Sequence, residues 1–427
     1  MKSAFLYTLG AGLLVFAALT GWRYFSSANL ESAAKTLQQI IPERKKSPAE
    51  LRAEALEKSK NIKGLYMTAD VASYDDAGAR RIRENIIRIA DETEINGIVI
   101  DVKEVCGPDY DAENLKKLIA ELHKKQIWAI ARIVAFKDSS QINVHPEWYL
   151  KRASAVAVSD QCARKTNLRA PGTAGNGVAY WRDNKGGYWF DPASRDARQY
   201  IADFAKKIID LGFDEIQFDY IRFPSDGDVA AAIYPAWTKK TAKDQVMKSF
   251  FEFLGKELRA HKPDIILSAD LFGYAAIRAG DVGIGQRLED IGSTFDYVSF
   301  MVYPSHYYSG LYLEADPAYK LGAVNLDKNG ARRNPGTVVY RSSLVARNFL
   351  DELASTTAST TPVEKRHEVR LRPWLEDFFH DADKSLGNPY GAKKVRLQID
   401  GAEKVEPHGW LLWNASNVYT EPALKRE

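Results

Sequence analysis

The chain has 427 residues, of which 45% are hydrophobic, 27% charged and 11% aromatic, a composition typical of a folded protein with a large core. Its 59 basic and 56 acidic side chains leave a formal net charge of +3, which gives no indication of nucleic acid as a partner. Two cysteines, Cys106 and Cys162, are too few for a disulfide-rich scaffold or a four-cysteine zinc site. A barrel-type domain can reach this length, so several domains are not required.

The N-terminus departs from this average composition. Residues 3–22 carry no charged side chain, and about 20 apolar residues are enough to span the hydrocarbon core of a membrane. We interpret residues 1–25 as a membrane segment, with residues 4–22 in contact with the bilayer, and the alternative is a cleaved signal peptide with Ser26 and Ala28 at the cleavage site. Both place most of the chain outside the cytoplasm, anchored to the cell membrane or secreted. Residues 26–60 are predicted to form a partly helical stalk.

Residues 61–427 alternate short apolar runs with stretches of helical period. The predicted strands are residues 62–70, 96–101, 127–134, 213–220, 265–270, 295–303, 369–374 and 410–413. The predicted helices are residues 76–93, 111–125, 193–210, 243–260 and 393–405, with a sixth helix and an excursion within 307–368. This α/β series predicts a (β/α)₈ TIM barrel. An open doubly wound sheet is the alternative, but no glycine-rich phosphate turn follows the first strand.

The ends of the predicted strands carry polar and aromatic side chains, and active sites of such barrels lie at the C-terminal ends of the strands. We therefore expect these side chains to line one pocket. For each single aspartate, a helix cap or a structural salt bridge is the alternative role. The candidates for substrate binding are Asp70, Asp101, Glu104, Arg132, Arg222, Tyr303, His306, Arg372, Trp374 and Trp413.

Asp219 and Asp270 end two consecutive predicted strands and are the candidate catalytic pair. Neighbouring strands lie about 4.8 Å apart, which allows the carboxyl separations that glycosidases use. Arg222 is expected to hold Asp219 ionised as nucleophile or base. The apolar residues before Asp270 are expected to raise its pKa toward the role of general acid.

Other chemistries have weaker support. The seven histidines are dispersed without a His-Glu-x-x-His motif, so we expect no metal site, and no cofactor motif is recognised. Cys106 and Cys162 follow strands two and three, and could pair at the barrel rim in an oxidising compartment. Six aromatic residues after strand three could stack on sugars, although packing of the loop onto the barrel is favoured. They are Trp148, Tyr149, Tyr180, Trp181, Tyr188 and Trp189.

Five segments, residues 63–68, 97–104, 212–224, 296–306 and 372–378, together resemble a bacterial family of glycoside hydrolase domains. The most specific is Gly212-Phe-Asp-Glu-Ile-Gln-Phe-Asp-Tyr-Ile-Arg-Phe-Pro224. The resemblance covers about residues 61–420 and implies a (β/α)₈ barrel distantly related to α-amylases. It also implies a nucleophile at Asp219 and an acid at Asp270, although the acid of amylases is typically a glutamate.

Two functions are compatible with the sequence. One is a glycosidase that acts on a cell-envelope or extracellular polysaccharide, and the other is a membrane-tethered barrel that binds such a polysaccharide without turnover. Carboxylates that converge on one point would favour the enzyme, and carboxylates occupied by salt bridges would favour the binding protein. The sequence does not indicate the sugar, the linkage or the oligomeric state.

Overall fold

The structure is a computed structural model that describes residues 44–154, 159–163, 179–278, 280–357, 369–385, 387, 390–405 and 408–426. Residues 4–22, predicted to contact the bilayer, lie outside the described residues, as does the predicted stalk up to residue 43. In the part of the chain that is described, no helix has the length and apolar character needed to span a membrane.

Eight parallel strands close into a barrel, which confirms the predicted fold. Each strand pairs with the next in chain order, and β1 pairs with both β2 and β8. The seventh strand is short because Pro373 separates it from the two-residue strand Arg370–Leu371, which pairs with β6. The strands are β1 Ile62–Met67, β2 Gly97–Glu104, β3 Trp128–Val134, β4 Glu215–Asp219, β5 Ile266–Phe272, β6 Tyr297–Met301, β7 Trp374–Glu376 and β8 Gly409–Trp413.

Helices cover the outside of the barrel and begin at side-chain caps where the sequence offers them. Asp76, Asp111 and Ser194 each accept hydrogen bonds from backbone N–H groups in the first turn of the helix that follows. In the described part of the unit after β5, the α-helix is the single turn α7, so the eight units are unequal. The helices are α1 Pro48–Lys58, α2 Ala69–Ser73, α3 Ala77–Glu92, α4 Ala112–Lys124, α5 Arg195–Ile209, α6 Lys243–His261, α7 Leu288–Ile291, α8 Lys328–Arg333, α9 Pro335–Thr357, α10 Asp381–Ser385 and α11 Ala392–Glu403.

Helix α1 packs against the N-terminal ends of the strands. Arg52 pairs with Asp296 at 2.7 Å, just before β6. Ala55 packs with Ile266 and Tyr297, the first residues of β5 and β6. The compact unit that contains the barrel runs from Pro48 to Glu427 and therefore includes helix α1.

The interior of the barrel is tightly packed where β1 meets β2. Gly64 pairs in register with Gly97, and a Cβ atom on Gly97 would lie 2.4 Å from Ile62 Cγ2. A Cβ atom on Gly64 would lie 2.6 Å from Leu411 Cδ2. Side chains at either position would displace the apolar layer below the pocket.

The long segment after β3 folds onto the barrel through its aromatic side chains. Five of the six aromatic residues noted in the sequence are buried there, and Tyr180 is half-buried, so the packing role is confirmed for most of them. A disulfide joins Cys106, after β2, to Cys162 in this segment. The bond confirms that the two cysteines meet at the C-terminal rim. The buried residues are Trp148, Tyr149, Trp181, Tyr188 and Trp189.

Candidate active site

A single guanidinium joins three carboxylates at the C-terminal end of the barrel. Arg132 on β3 donates to Asp101 Oδ1 on β2 over 2.6 Å and to Asp219 Oδ2 on β4 over 2.5 Å. Its Nε lies 3.7 Å from Asp270 Oδ2 on β5. All four side chains are buried. The three aspartates, each predicted at the end of a separate strand, thus surround Arg132.

Strand register explains the convergence. Asp101 pairs with Arg132, and Arg132 pairs with Gln217, two residues before Asp219. Phe218 pairs with Ala269, so Asp219 and Asp270 each follow one residue later on neighbouring strands. Side chains two residues apart share a face of a strand, and the inward positions therefore form a layer.

The three carboxylates and one guanidinium leave an excess of negative charge in a buried space. Burial and the nearby Asp219 carboxylate raise the pKa of Asp270 well above its ordinary value, and Arg132 only partly opposes this. Burial also raises the pKa of Asp101, against the effect of Arg132 and of a hydrogen bond from the Tyr66 hydroxyl. Asp270 is consequently the carboxyl of this cluster whose neutral form is most favoured, as a general acid requires.

Arg132, rather than Arg222, is the direct partner of Asp219, and this corrects the expected pairing. Arg222 Nη1 donates to the Phe223 carbonyl over 3.0 Å, and its guanidinium lies 4.4 Å from the centre of the Phe272 ring. Tyr220 has a φ of 49°, in the left-handed region, and turns the chain after β4. That turn lets the Tyr220 N–H donate to Asp219 Oδ1 over 2.6 Å.

Aromatic side chains form one wall of the cluster. Trp374 Nε1 donates to Asp270 Oδ1 over 2.8 Å. The rings of Tyr66 and Trp413 have centroids 3.9 Å apart, and the guanidinium of Arg132 lies 5.2 Å from the centre of the Trp413 ring. Trp374 and Trp413 thus touch the charged cluster, as the strand-end hypothesis expected.

Tyr303, which packs in one cluster with Tyr66 and Trp374, lines two cavities. One of about 450 Å³ is lined by residues that include Trp189, Arg222 and Tyr303. The other, of about 550 Å³, is lined by residues that include Trp413, Asn414 and Tyr303. Tyr303 and His306 line both cavities, which places these two predicted residues between them.

Two predicted residues, Asp70 and Glu104, are not among the four buried side chains of the charged cluster. Asp70 is exposed on α2, and Glu104 is half-buried at the end of β2, paired through its backbone with Gly107.

Arg372 requires a correction, because it lies at the N-terminal end of the barrel. It is fully buried and donates to both carboxylate oxygens of Glu215, the first residue of β4, over 2.8 and 3.0 Å. It also donates to the Ser59 carbonyl over 3.0 Å. Pro373 delays the start of β7, so Arg372 precedes that strand instead of ending it.

The sequence hypothesis missed Tyr66, Glu376 and His380. Tyr66 contacts Asp101, and its inward position on β1 follows from period-two alternation, a signal that was available. Glu376 is fully buried, and burial raises its pKa to about 7. One potential ligand atom from each of His306, Glu376 and His380 lies within 4.8 Å of the other two. No sequence motif connects these three residues.

The sequence of residues 64–419 matches the model of a family described as "Putative glycosyl hydrolase domain". The chain belongs to this family. The match covers the whole barrel from β1 to the segment after β8, and it agrees with the resemblance carried by the strand-end motifs. Membership makes the protein a glycoside hydrolase in general terms. No curated protein sequence matches the chain.

Several solved structures are similar to this chain at low identity. A hypothetical protein from Ruminiclostridium thermocellum ATCC 27405 has 26% identity, covering 48% of this chain and 96% of its own, with a TM-score of 0.36. The α-amylase from Geobacillus thermoleovorans, complexed with acarbose, has 11% identity, with coverages of 86% and 74% and a TM-score of 0.43. An α-galactosidase from Thermus thermophilus has 13% identity, with coverages of 85% and 60% and a TM-score of 0.46.

Proposed function

We propose that the protein hydrolyses glycosidic bonds with Asp219 and Asp270 as the reacting carboxyls. The observation that carries the proposal is the position of these residues in one layer of adjacent strands, in different electrostatic surroundings. Asp219 receives two hydrogen bonds, from Arg132 and from the Tyr220 N–H, which suit a carboxylate. Asp270 is buried and favours its neutral form.

The two environments support a division of roles. Asp270 protonates the oxygen of the leaving sugar, while Asp219 attacks the anomeric carbon or activates a water molecule. Trp374, which donates to Asp270 Oδ1, fixes the orientation of the acid. Arg132 moderates the repulsion among Asp101, Asp219 and Asp270.

The substrate in this proposal is a cell-envelope or extracellular polysaccharide, or an oligosaccharide derived from it. The two cavities on either side of Tyr303 and His306 support a ligand longer than one sugar. The Cys106–Cys162 disulfide supports an extracytoplasmic location, since such bonds persist in oxidising compartments. The apolar segment at residues 4–22 supports anchoring to the bacterial cell membrane, or secretion if it is cleaved.

The test compares Asp219→Asn and Asp270→Asn with Asp203→Asn, an exposed carboxylate on α5, in assays of reducing-end release from a panel of polysaccharides. We expect Asp219→Asn to lower the rate at least ~10³-fold while ligand binding persists. Asp203→Asn should match the wild type. A near-normal rate in Asp219→Asn would remove it from the catalytic pair. The anomeric configuration of the sugar that is released first shows whether hydrolysis retains or inverts the configuration at the anomeric carbon.

A second candidate, polysaccharide binding without turnover, is favoured by the ion pairs of Arg132, which occupy oxygens of all three carboxylates. Under that proposal, affinity electrophoresis in polysaccharide gels would show retardation of the wild type without release of reducing ends. Turnover that is abolished by Asp219→Asn would exclude it.

A further inference from the structure

A second cluster of polar side chains lies at the end of β7 and on the loops that follow β6 and β7. We propose that His306, Glu376 and His380 bind one Zn²⁺ ion. Each residue offers one ligand atom, and the three atoms lie within 4.8 Å of one another. The ligands of one tetrahedral zinc ion, bound at about 2.0–2.2 Å, are expected to lie about 3–4 Å apart, so small side-chain rotations would close the site.

One polar atom of this cluster, His380 Nε2, is buried without a hydrogen-bond partner among the described residues. The Glu376 carboxyl is fully buried and has a hydrogen bond with the hydroxyl of Tyr390, whose pKa is raised in part by that carboxyl. A buried polar atom without a partner is costly, and a cation would satisfy His380 Nε2 and pair with the buried carboxylate.

The remaining atoms of the ligands are oriented by Ser305. Its backbone N–H donates to Glu376 Oε2 over 3.0 Å, and its hydroxyl lies 2.8 Å from His306 Nδ1. With the Nδ1 proton directed at the hydroxyl, the Nε2 lone pair of His306 is available to a metal. Such outer contacts set the tautomer and direction of metal-binding histidines.

The charges that face the cluster permit a divalent cation. Arg332 acts on both His306 and His380, and it pairs with Asp383 over 3.3 Å. Lys394 lies 3.8 Å from the same carboxylate. Lys185 also acts on His306, and Asp381 acts on His380. Asp383 and Asp381 thus oppose part of the positive charge, and Glu376 supplies the anionic ligand.

The chemical types of the three ligands indicate which metal ions the site would prefer. Two imidazole nitrogens and one carboxylate suit zinc and neighbouring transition metals, whereas calcium and magnesium prefer oxygen ligands. Three protein ligands leave a fourth position for water or another ligand. The ion would tie the loop after β6 to the end of β7, at the wall shared by the two cavities. This proposal is independent of the glycosidase proposal.

The experiment measures metal binding by the untagged full-length chain after treatment with a chelator. Zn²⁺ is titrated in competition with a chromophoric chelator, and Co²⁺ is titrated with detection of its visible absorption. We expect one equivalent of Zn²⁺ per chain, and at least ~10-fold weaker binding in His380→Gln and Glu376→Gln. His123→Gln, an exposed histidine at the C-terminal end of α4, is the matched control and should bind as the wild type does.

Circular dichroism confirms that each variant is folded before titration. His380 is half-buried, so His380→Gln serves as the decisive variant if Glu376→Gln does not fold. Wild-type protein that binds no Zn²⁺, or equal affinities in wild type and His380→Gln, would overturn the proposal. Neither outcome depends on whether the protein hydrolyses a polysaccharide.

Discussion

The indole N–H of Trp374 donates to Asp270 Oδ1 over 2.8 Å, which connects β7 to β5 across the mouth of the barrel. The other oxygen of Asp270 lies 3.7 Å from Arg132 Nε. Neither contact outweighs burial and the neighbouring Asp219, so the pKa of Asp270 stays raised. Asp270 is therefore the member of the proposed catalytic pair whose neutral form the surroundings favour.

The rate of hydrolysis should decrease as the pH rises through the raised pKa of Asp270, because a general acid acts only in its protonated form. Asp270→Asn should lower kcat/KM by ~10²–10⁴-fold and abolish that alkaline decrease. Initial rates from pH 4 to 10, on whichever polysaccharide the wild type cleaves, measure both effects. An alkaline decrease that persists in Asp270→Asn would assign the proton to another group.

The same group should make stability depend on pH. The pKa of Asp270 is higher in the folded than in the unfolded chain, so its stabilising contribution is complete below the unfolded value of about 3.9 and is lost as the pH rises through the folded value. The asparagine side chain in Asp270→Asn does not titrate. The free energy of unfolding of this variant should therefore rise relative to that of the wild type as the pH increases from 5 to 9. Urea unfolding at both pH values, with Asp203→Asn as control, measures the difference.

Replacement of Arg132 should be strongly destabilising. Arg132→Met leaves Asp101, Asp219 and Asp270 without their cation, and we expect a loss of about 3–5 kcal/mol in the free energy of unfolding. Arg88→Met, which removes exposed pairs with Glu92 and Glu421, should cost only ~0–1 kcal/mol.

A double variant tests the origin of that loss. Asp101→Asn combined with Arg132→Met should be less destabilised than the sum of the single variants, because one unpaired carboxylate is removed. Simple additivity in urea unfolding would contradict the charge-cluster explanation.

Arg372 should affect stability rather than substrate binding. Arg372→Met leaves Glu215 buried without its cation and should cost about 3–5 kcal/mol, while KM stays unchanged for the folded fraction. Adding Glu215→Gln should recover part of the loss. A raised KM with unchanged unfolding would return Arg372 to the substrate-binding residues that the sequence hypothesis proposed.

The disulfide should stabilise the rim. Replacing both Cys106 and Cys162 with serine should cost about 2–4 kcal/mol, since the bond closes a long loop across the chain. Dithiothreitol should lower the Tm of the wild type to that of the double variant. A Tm insensitive to reductant would show that the bond contributes little.

Periodicity predicts seven of the eight barrel strands. The predicted strand at residues 127–134 differs from β3 by one residue, and the predicted helix at 76–93 ends within one residue of α3. The predicted strand at residues 369–374 shares only Trp374 with β7, and Asp70, expected at a strand end, lies on α2. Buried parallel strands are continuous apolar runs, so their existence is easier to predict than their ends.

Contacts between side chains on different strands could not be predicted in the same way. Arg132 contacts carboxylates from β2, β4 and β5 because of the register between the strands, and the sequence of a single strand does not determine that register. The proximity of His306 to His380 depends on the paths of two loops. Arg372 lies before β7 because Pro373 delays the start of that strand to Trp374, and the apolar pattern alone does not show this delay.

Helix α1 closes one end of the barrel. Through Arg52 and Ala55 it covers the N-terminal ends of β5 and β6, whereas Asp219 and Asp270 lie at the C-terminal ends of their strands. A ligand that approaches the C-terminal opening of the barrel therefore does not pass this helix.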